Sequence, residues 1–291
     1  MIKELLLTSR PISWVNTAYP FAVAYLLSGG GFDWKLVLGT IFFLIPYNLL
    51  MYGVNDVFDY ESDLRNPRKG GVEGALLDRN SHILVLRCSL LLTLPFALVL
   101  FVAGSAVSAV VFAVSLFAVL AYSAPKLRFK ERPGLDSVTS AVHFVSPAVY
   151  GWVLGGAELQ ATSWLVFAAF LLWGMASHAL GAIQDIIPDR EAGLGSIATV
   201  CSARVSLYLV LGAYILAGVV LWVSLDGVAA ATGLLALPYI LNVLPYLGVT
   251  DETSGKLNTA WKRFLWINYV CGFLLTMLLL LMWWNGGAIG F

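Results

Sequence analysis

The sequence predicts an all-α polytopic membrane protein with nine transmembrane helices. Hydrophobic residues make up 59% of its 291 residues, charged residues only 12%, and the mean hydropathy is +0.84. An ordinary soluble domain carries about 25% charged residues, so lipid rather than water is expected to cover most of the surface. Lys+Arg and Asp+Glu balance at 17 each, which leaves no net positive charge to attract nucleic acid.

Stretches without charge give the nine spans, because a bilayer core of about 30 Å needs about 20 apolar residues in a helix. Residues 88–125 form a stretch of 38 (125 − 88 + 1), enough for two helices with a tight turn near residues 104–105. The predicted spans lie in 11–32, 36–55, 88–125 (two), 137–157, 159–184, 205–225, 227–250 and 264–291. No linker or composition shift divides the chain, so one domain over residues 1–291 is predicted.

The basic residues predict the orientation of these spans. Of the 17 Lys and Arg residues, 16 fall before the first span or in the even-numbered loops, and only Lys35 falls on the other face. Loops rich in Lys and Arg stay in the cytoplasm. The N-terminus and any active site in the even loops are therefore predicted to be cytoplasmic, with the C-terminus outside.

An acidic motif follows the second span. Asn55 and Asp59 are four residues apart, Asp56 and Asp59 three, and Asp59 and Asp63 four, so a continued helix places them on one face. Like charges at this spacing repel unless a cation lies between them. Hard oxygen ligands such as these favour Mg²⁺, so the four residues are predicted metal ligands.

A second acidic motif follows the sixth span. Asp185 and Asp189 are again four residues apart, and Pro188 between them is expected to bend or tighten the helix. The motifs lie 129 residues apart (185 − 56), which suggests a weak internal repeat. Two such motifs facing one cavity would hold two Mg²⁺ ions and a diphosphate between them. The alternative is that both are solvated helix ends, which their matched spacing on one membrane face disfavours.

Basic and polar residues near these motifs complete the predicted site. Arg and Lys stabilise the charge on a departing diphosphate, although cytoplasmic basic residues are also expected simply to fix topology. The predicted diphosphate-binding residues are Arg65, Arg68, Lys69, Lys126 and Arg128. Asn48, Gln184, Asn16 and Arg10 are expected to orient ligands or to line the mouth of the site. Glu73 is a candidate base, alongside Asp63 and the released diphosphate.

At these residues the chain resembles the UbiA superfamily of intramembrane prenyltransferases. Its NDxxDxxxD motif is matched by Asn55-Asp56, Asp59 and Asp63, its DxxxD motif by Asp185 and Asp189, and its YxxxK motif by Tyr122 and Lys126. The resemblance implies nine helices around a central cavity, with Mg²⁺ and a prenyl diphosphate held by the two Asp motifs. It also implies that Lys126, with Arg65 or Arg68, holds the diphosphate and that Tyr122 stabilises an allylic cation. The run RNPRKGG after the first motif departs from the family's usual Arg-Pro-Leu segment.

Within the superfamily, the segments SRPISWVNTAYPF and QDIIPDREAG resemble the lycopene elongase branch of C50 carotenoid pathways. That resemblance implies transfer of a dimethylallyl group from dimethylallyl diphosphate to an acyclic carotenoid end, finished by proton loss or hydration. It further implies a bacterial or archaeal cell membrane, an acceptor drawn from membrane lipid, and other carotenoid-pathway proteins as partners.

Two other functions stay open at this level. One is a prenyltransferase of the same family that acts on an aromatic or quinone acceptor. The other is a cation-coupled membrane transporter, whose acidic residues would be expected near the bilayer midplane rather than at the cytoplasmic helix ends.

Overall fold

A computed structural model describes residues 2–64 and 77–284, and its regular structure in these ranges is helical. Short 3₁₀ turns join several of the helices. The α-helices of the described ranges are α1 (Ile2–Thr8), α2 (Val15–Leu27), α3 (Trp34–Leu44), α4 (Pro46–Phe58), α5 (Tyr60–Asp63), α6 (His82–Val102), α7 (Ala106–Ser123), α8 (Leu135–Leu154), α9 (Ala161–Ile183), α10 (Ile186–Glu191), α11 (Ile197–Cys201), α12 (Ala203–Ser224), α13 (Gly227–Ala230), α14 (Leu237–Val243) and α15 (Leu257–Trp284).

The described residues contain seven helical stretches that are long and apolar enough to cross a membrane. They are Trp34–Phe58, Arg79–Val102, Ala106–Ser123, Ala161–Ile183, Ala203–Ser224, Gly227–Tyr246 and Asp251–Trp284. The protein is therefore an integral membrane protein built from helices, as the sequence predicts. The predicted spans 11–32 and 137–157 are helical as well, but α2 has only 13 residues and α8 carries Asp136 in its first turn. The count of nine spans stays a prediction.

The turn predicted near residues 104–105 is confirmed. Helix α6 ends at Val102 and α7 begins at Ala106. The Ser105 hydroxyl accepts a hydrogen bond from the Ser108 backbone N–H at 3.3 Å. This bond satisfies one of the backbone N–H groups at the start of α7 that have no acceptor within the helix. One long apolar stretch thus becomes two membrane helices.

The chain divides into two compact units, of which the first comprises Met1–Phe129 and Val142–Glu158. Its core is largely aromatic, with the Phe112 and Tyr150 rings 4.9 Å apart. A Cβ atom on Gly151 would lie 2.4 Å from the Phe21 carbonyl oxygen, so only glycine allows α8 to approach α2 this closely. Core side chains of this unit are Phe21, Tyr25, Phe42, Phe43, Tyr47, Leu50, Leu100, Phe112, Val119 and Tyr150.

Hydrogen bonds from side-chain hydroxyls hold α4, α7 and α8 together inside the first unit. The Tyr47 hydroxyl donates to the His143 carbonyl oxygen at 3.1 Å and accepts from the Ser115 hydroxyl at 3.1 Å. The Ser146 hydroxyl donates to Ser115 at 2.8 Å. Such bonds are a common means of joining helices where lipid gives little hydrophobic drive for association.

The second unit comprises Lys130–Ala141 and Leu159–Phe291. Helices α9 and α12 pack along each other, and the Ser177 and Tyr214 hydroxyl oxygens lie 3.2 Å apart between them. The Tyr214 ring also packs at a tilt against Tyr239, with ring centroids 5.3 Å apart. The division into two units leaves the single domain over residues 1–291 a prediction.

Candidate functional site

The first acidic motif lies where α4 gives way to α5. Asp59 interrupts the helix with φ −102° and ψ 0°, but the helical hydrogen bonds continue through it. The Asp59 N–H donates to the Asn55 carbonyl oxygen at 2.9 Å, and the Asp63 N–H donates to that of Asp59 at 2.8 Å. The predicted helical spacing of these residues is therefore confirmed, with a break at Asp59.

The three carboxylates of this motif are buried. Asp56, Asp59 and Asp63 expose 1%, 2% and 7% of their surface. The Asn55 amide nitrogen donates to Asp59 Oδ2 at 2.5 Å and to the Ser123 hydroxyl at 2.9 Å. Because the amide nitrogen faces Asp59, the amide oxygen of Asn55 is directed away from that carboxylate. Burial of so many anionic groups is costly unless cations accompany them.

Arg10 supplies one such cation. Its Nη2 donates to Asp56 Oδ1 at 2.6 Å, and its guanidinium lies 4.1 Å from the centre of the Tyr52 ring. Burial lowers the pKa of Arg10, but attraction to Asp56, and more weakly to Asp63, more than offsets it and leaves the pKa above its usual value. Arg10 thus lies against the acidic motif itself and not only at its mouth.

We expect Arg10→Met to destabilise the metal-free protein by roughly 3 kcal/mol, because it leaves the buried Asp56 carboxylate without this guanidinium. Thermal unfolding in detergent measures the effect. The double variant Arg10→Met/Asp56→Asn should recover much of the loss, since the buried negative charge is then gone. Equal unfolding midpoints for Arg10→Met and the wild type would show that the ion pair does not stabilise this segment.

The segment after α7 brings a second guanidinium to the same motif. Arg128 Nη1 donates to the Phe58 carbonyl oxygen at 3.3 Å, and Nη2 lies 3.6 Å from Asp59 Oδ1. Lys126 is exposed in the turn between α7 and Arg128. The Tyr122 ring, at the end of α7, lies edge-on to the His143 imidazole with centroids 5.2 Å apart. Tyr122, Arg128 and the first acidic motif thus lie in one compact unit.

Backbone conformation also distinguishes these basic residues. Within residues 2–64 and 77–284, positive φ at a non-glycine residue occurs at Arg10 (50°), Lys126 (73°), Arg128 (40°) and Ser202 (73°). Non-glycine residues rarely adopt this left-handed backbone conformation, because it is strained and the surrounding structure must hold it in place. Residues in this conformation cluster at functional sites. Three of these four positions are predicted site residues.

The second acidic motif lies between α9 and α10 in the second unit. Asp185 interrupts the helix with φ −97° and ψ 2°, and the Asp189 N–H donates to its carbonyl oxygen at 2.9 Å. Pro188 occupies the first turn of α10, where a missing N–H costs nothing. Asp185 and Asp189 are both half-buried. The Gln184 side-chain oxygen accepts from the Asn258 amide at 2.8 Å, which fixes the side chain that precedes Asp185.

The two acidic motifs have the same local backbone geometry, in addition to the matched spacing of their acids. In both, the first Asp of a D-x-x-x-D segment breaks the helix near ψ 0°, and the second Asp donates its N–H back to the first. Asp59 therefore corresponds to Asp185, and Asp63 to Asp189, at a separation of 126 residues (185 − 59 and 189 − 63). The separation of 129 residues given by the sequence is counted from Asp56, the first acid of the first motif, whereas the two helix breaks lie 126 residues apart.

Some predicted site residues have other surroundings. The Asn48 amide nitrogen donates to the Thr17 hydroxyl at 2.7 Å and to the Phe43 carbonyl oxygen at 2.8 Å, so it joins α4 to the helices before it. Asn16 is half-buried in the first turn of α2. Arg65, Arg68, Lys69 and Glu73 lie outside the described residues. Within residues 2–64 and 77–284, no group of three or more His, Cys, Asp or Glu side chains is arranged as a metal site.

Two further acids of the second unit, which the sequence did not predict, also have defined partners. Asp251 accepts from Arg190 Nη1 at 2.6 Å and from the Ala203 N–H at 2.7 Å, and so ties α10 to the start of α12. Asp136 is fully buried and accepts from the Ile197 N–H at 2.8 Å. Neither belongs to a D-x-x-x-D segment, so spacing alone gave no signal for them.

Comparison with known proteins agrees with this fold and these motifs. A lycopene elongase/hydratase from Corynebacterium glutamicum is 51% identical over 279 residues, which cover 96% of this chain and 97% of that relative. The C(50) beta-cyclic carotenoids biosynthesis protein LbtBC of Dietzia sp. is 53% identical over 280 residues. That match covers 96% of this chain but spans only 65% of the length of the Dietzia protein.

Solved structures show the same fold. A UbiA homolog from Aeropyrum pernix K1, in its apo form, has a TM-score of 0.67 at 20% identity, over 91% of this chain and 98% of that chain. A UbiA homolog from Archaeoglobus fulgidus, bound to DMAPP and Mg²⁺, has a TM-score of 0.65 at 18% identity, over 92% and 98%. The family model of the UbiA prenyltransferase family matches residues 17–267. The chain belongs to the UbiA prenyltransferase family.

Proposed function

We propose that this membrane prenyltransferase uses Mg²⁺ to transfer a dimethylallyl group from dimethylallyl diphosphate to the end of an acyclic carotenoid such as lycopene. The observation that carries the proposal is the set of buried carboxylates of Asp56, Asp59 and Asp63, with Arg10 and Arg128 against them. A relative that is 51% identical along nearly its whole length is a lycopene elongase/hydratase, which supports the carotenoid acceptor.

The residues of both acidic motifs fit Mg²⁺ by their chemistry. They offer carboxylate oxygens and the Asn55 amide oxygen, and they offer no sulfur ligand that would favour a softer metal. Our proposed ligands for two ions are Asn55, Asp56, Asp59, Asp63, Asp185 and Asp189. When bound, Mg²⁺ supplies positive charge that stabilises the diphosphate as it leaves. In the metal-free protein, Arg10 neutralises part of the charge of the first motif.

Basic residues are proposed to bind the diphosphate itself. Arg128 presents a guanidinium beside Asp59, and Lys126 is exposed in the adjacent turn. Planar guanidinium groups bind phosphate oxygens through paired hydrogen bonds, and the ammonium group acts as a point charge. Arg65, Arg68 and Lys69 are proposed to act in the same way from the segment that follows the first motif.

The reaction proceeds in this proposal through an allylic cation. The Tyr122 ring is held edge-on against His143. A ring fixed in this way presents its electron-rich face to a cation without first losing side-chain freedom. The surrounding helices exclude bulk water, which would otherwise capture the cation. The acceptor alkene then attacks, and proton loss or hydration ends the reaction.

We propose that residues 1–291 form one functional domain in a bacterial or archaeal cell membrane, with the N-terminus and both acidic motifs on the cytoplasmic side. The lipid phase would supply the carotenoid acceptor, and other carotenoid-pathway proteins would act as partners. Cysteine substitutions at the exposed Lys3 in α1 and in the loop after α10, labelled in intact cells, test the orientation. Labelling of either position by an impermeant reagent added outside the cell would contradict it.

The purified protein in lipid vesicles tests the activity. Vesicles receive labelled dimethylallyl diphosphate and Mg²⁺ with either lycopene or an aromatic quinone precursor. We expect label in a C45 or C50 carotenoid, and none after chelation with EDTA or in the Asp56→Asn variant. Label only in the aromatic product would show that the acceptor is of the quinone type and not a carotenoid. Mg²⁺-dependent movement of cations across the vesicle membrane, without prenyl transfer, would instead indicate a transporter.

A further inference from the structure

A buried hydroxyl at the end of α7 contacts the first acidic motif. Ser123 exposes only 1% of its surface. Its Oγ accepts a hydrogen bond from the Asn55 amide nitrogen at 2.9 Å and donates to Asp59 Oδ2 at a longer distance, 3.4 Å. The same amide nitrogen donates to Asp59 Oδ2 at 2.5 Å. Ser123, Asn55 and Asp59 therefore form a closed triangle of hydrogen bonds inside the first unit.

This triangle determines which way the Asn55 side chain faces. The nitrogen of a side-chain amide carries two protons, and in Asn55 they are donated to Asp59 and to Ser123. The amide oxygen is therefore directed away from both partners, and within residues 2–64 and 77–284 it accepts no hydrogen bond. The oxygen is the atom through which an asparagine binds a hard cation. Ser123 thus helps to keep the metal-binding atom of Asn55 available.

We propose that Ser123 is a positioning residue, which holds the Asn55 amide oxygen in the orientation that binds Mg²⁺. This inference rests on the proposed function, in which Asn55 and Asp59 are both ligands of the ion. The bond between Asn55 and Asp59 competes with the metal, because it uses an oxygen of a proposed ligand. The bond between Asn55 and Ser123 does not compete, because Ser123 is not a ligand. It is the partner that orients the amide both without the metal and with it.

The position of Ser123 also connects two parts of the proposed reaction. Ser123 follows Tyr122, whose ring packs edge-on against His143 and is proposed to stabilise the allylic cation. The hydrogen bonds of Ser123 tie this end of α7 to the end of α4, where the first acidic motif lies. The Tyr122 ring and the proposed metal ligands are therefore held at a fixed spacing, which is the arrangement that a reaction through a short-lived cation requires.

Calorimetric titration of the Ser123→Ala variant in detergent, with Mg²⁺ alone and with Ca²⁺ alone, tests the proposal. We expect the affinity for Mg²⁺ to fall about 10- to 100-fold, the usual cost of removing a hydrogen-bond partner of a metal ligand. The preference for Mg²⁺ over Ca²⁺ should fall as well, because Mg²⁺ demands near-ideal octahedral geometry and Ca²⁺ accepts a flexible one. Prenyl transfer at saturating Mg²⁺ should recover most of the wild-type rate, since the ligands themselves remain.

Two further variants separate positioning from packing. Ser108 is also fully buried on α7, 15 residues away (123 − 108), and its hydroxyl donates to the Ser105 carbonyl oxygen at 2.7 Å. Ser108→Ala is the matched control, which should lower the unfolding temperature but leave Mg²⁺ affinity and the preference over Ca²⁺ unchanged. In an Asn55→Ala background, Ser123→Ala should have little further effect on Mg²⁺ affinity, because Ser123 acts through Asn55.

The outcomes distinguish this inference from the proposed function. A wild-type protein that neither binds Mg²⁺ nor transfers a prenyl group refutes the proposed function and this inference with it. A wild-type protein that does both, with equal Mg²⁺ affinity and equal preference over Ca²⁺ in Ser123→Ala, overturns the inference alone. The same holds if Ser108→Ala causes an equal loss, or if the full loss persists without Asn55, since Ser123 would then act only through packing. If Ser123→Ala fails to insert in the membrane, Ser123→Cys, whose thiol is a weak acceptor, is judged by the same criteria.

Discussion

Replacing Asp56 or Asp185 with asparagine should lower prenyl transfer by about 10³-fold, although each variant still inserts in the membrane. Asparagine keeps the size of the side chain but removes the negative charge that would hold Mg²⁺ and, through it, the diphosphate. Loss of a single group that stabilises developing charge typically costs 10²- to 10³-fold, and loss of a metal ligand is at the upper end of that range. Initial rates with labelled dimethylallyl diphosphate measure the effect, and calorimetric titration with Mg²⁺ separates metal binding from chemistry.

Glu61→Gln is the matched control for these variants. Glu61 lies in α5 between Asp59 and Asp63, but its side chain is exposed and pairs with the exposed Arg79. Removing its charge should therefore leave Mg²⁺ affinity and turnover nearly unchanged. Wild-type turnover in both Asp variants would refute the two-metal proposal. A loss in Asp56→Asn alone would restrict the metal site to the first motif.

Arg128→Ala should raise the KM for dimethylallyl diphosphate by about 10- to 100-fold. A hydrogen bond to a charged group contributes about 1.5–3 kcal/mol, and alanine removes every such bond from this side chain. The loss of the contact to Asp59 should instead strengthen Mg²⁺ binding, because a competing cation is removed. Steady-state kinetics at saturating Mg²⁺ isolate the effect on the diphosphate.

Two variants make this prediction specific. Arg128→Lys keeps the charge but lacks the planar pair of donors, so it should recover only part of the affinity. Arg87→Ala removes an exposed guanidinium from α6 and should leave the KM unchanged. An Arg128→Ala variant with the wild-type KM would indicate that Lys126, or the basic residues after the first motif, bind the diphosphate instead.

Much of the architecture could be predicted because lipid imposes a strict rule on sequence. Backbone groups have no water to bond with inside a bilayer, so each long apolar stretch must be a helix. That rule located the turn between α6 and α7 and the two acidic motifs at helix ends. It did not locate the break at Asp59 and at Asp185, since a helical pattern in the sequence continues through both residues.

Part of the candidate site could likewise be predicted from the sequence, and part could not. Asp56, Asp59 and Asp63 were predictable because carboxylates at helical spacing are unusual beside a membrane helix. The close approach of Arg10 was underestimated, because 46 residues separate it from Asp56 and its left-handed backbone leaves no mark in the sequence. Asp136 and His178 were not recognised as a pair for the same reason, since they lie on different helices and belong to no motif.

Hydrophobicity and helical periodicity act over short distances, so they were enough to predict a bundle of membrane helices with two acidic motifs of matched spacing. The partners of those motifs within their own units came from the packing of the helices. Packing brings Arg10 and Arg128 against the first motif and Asp136 against His178, and the helix breaks show that Asp59 and Asp185 have the same local backbone geometry. Such contacts depend on how helices pack and where they break, and these depend on side chains that are remote in sequence.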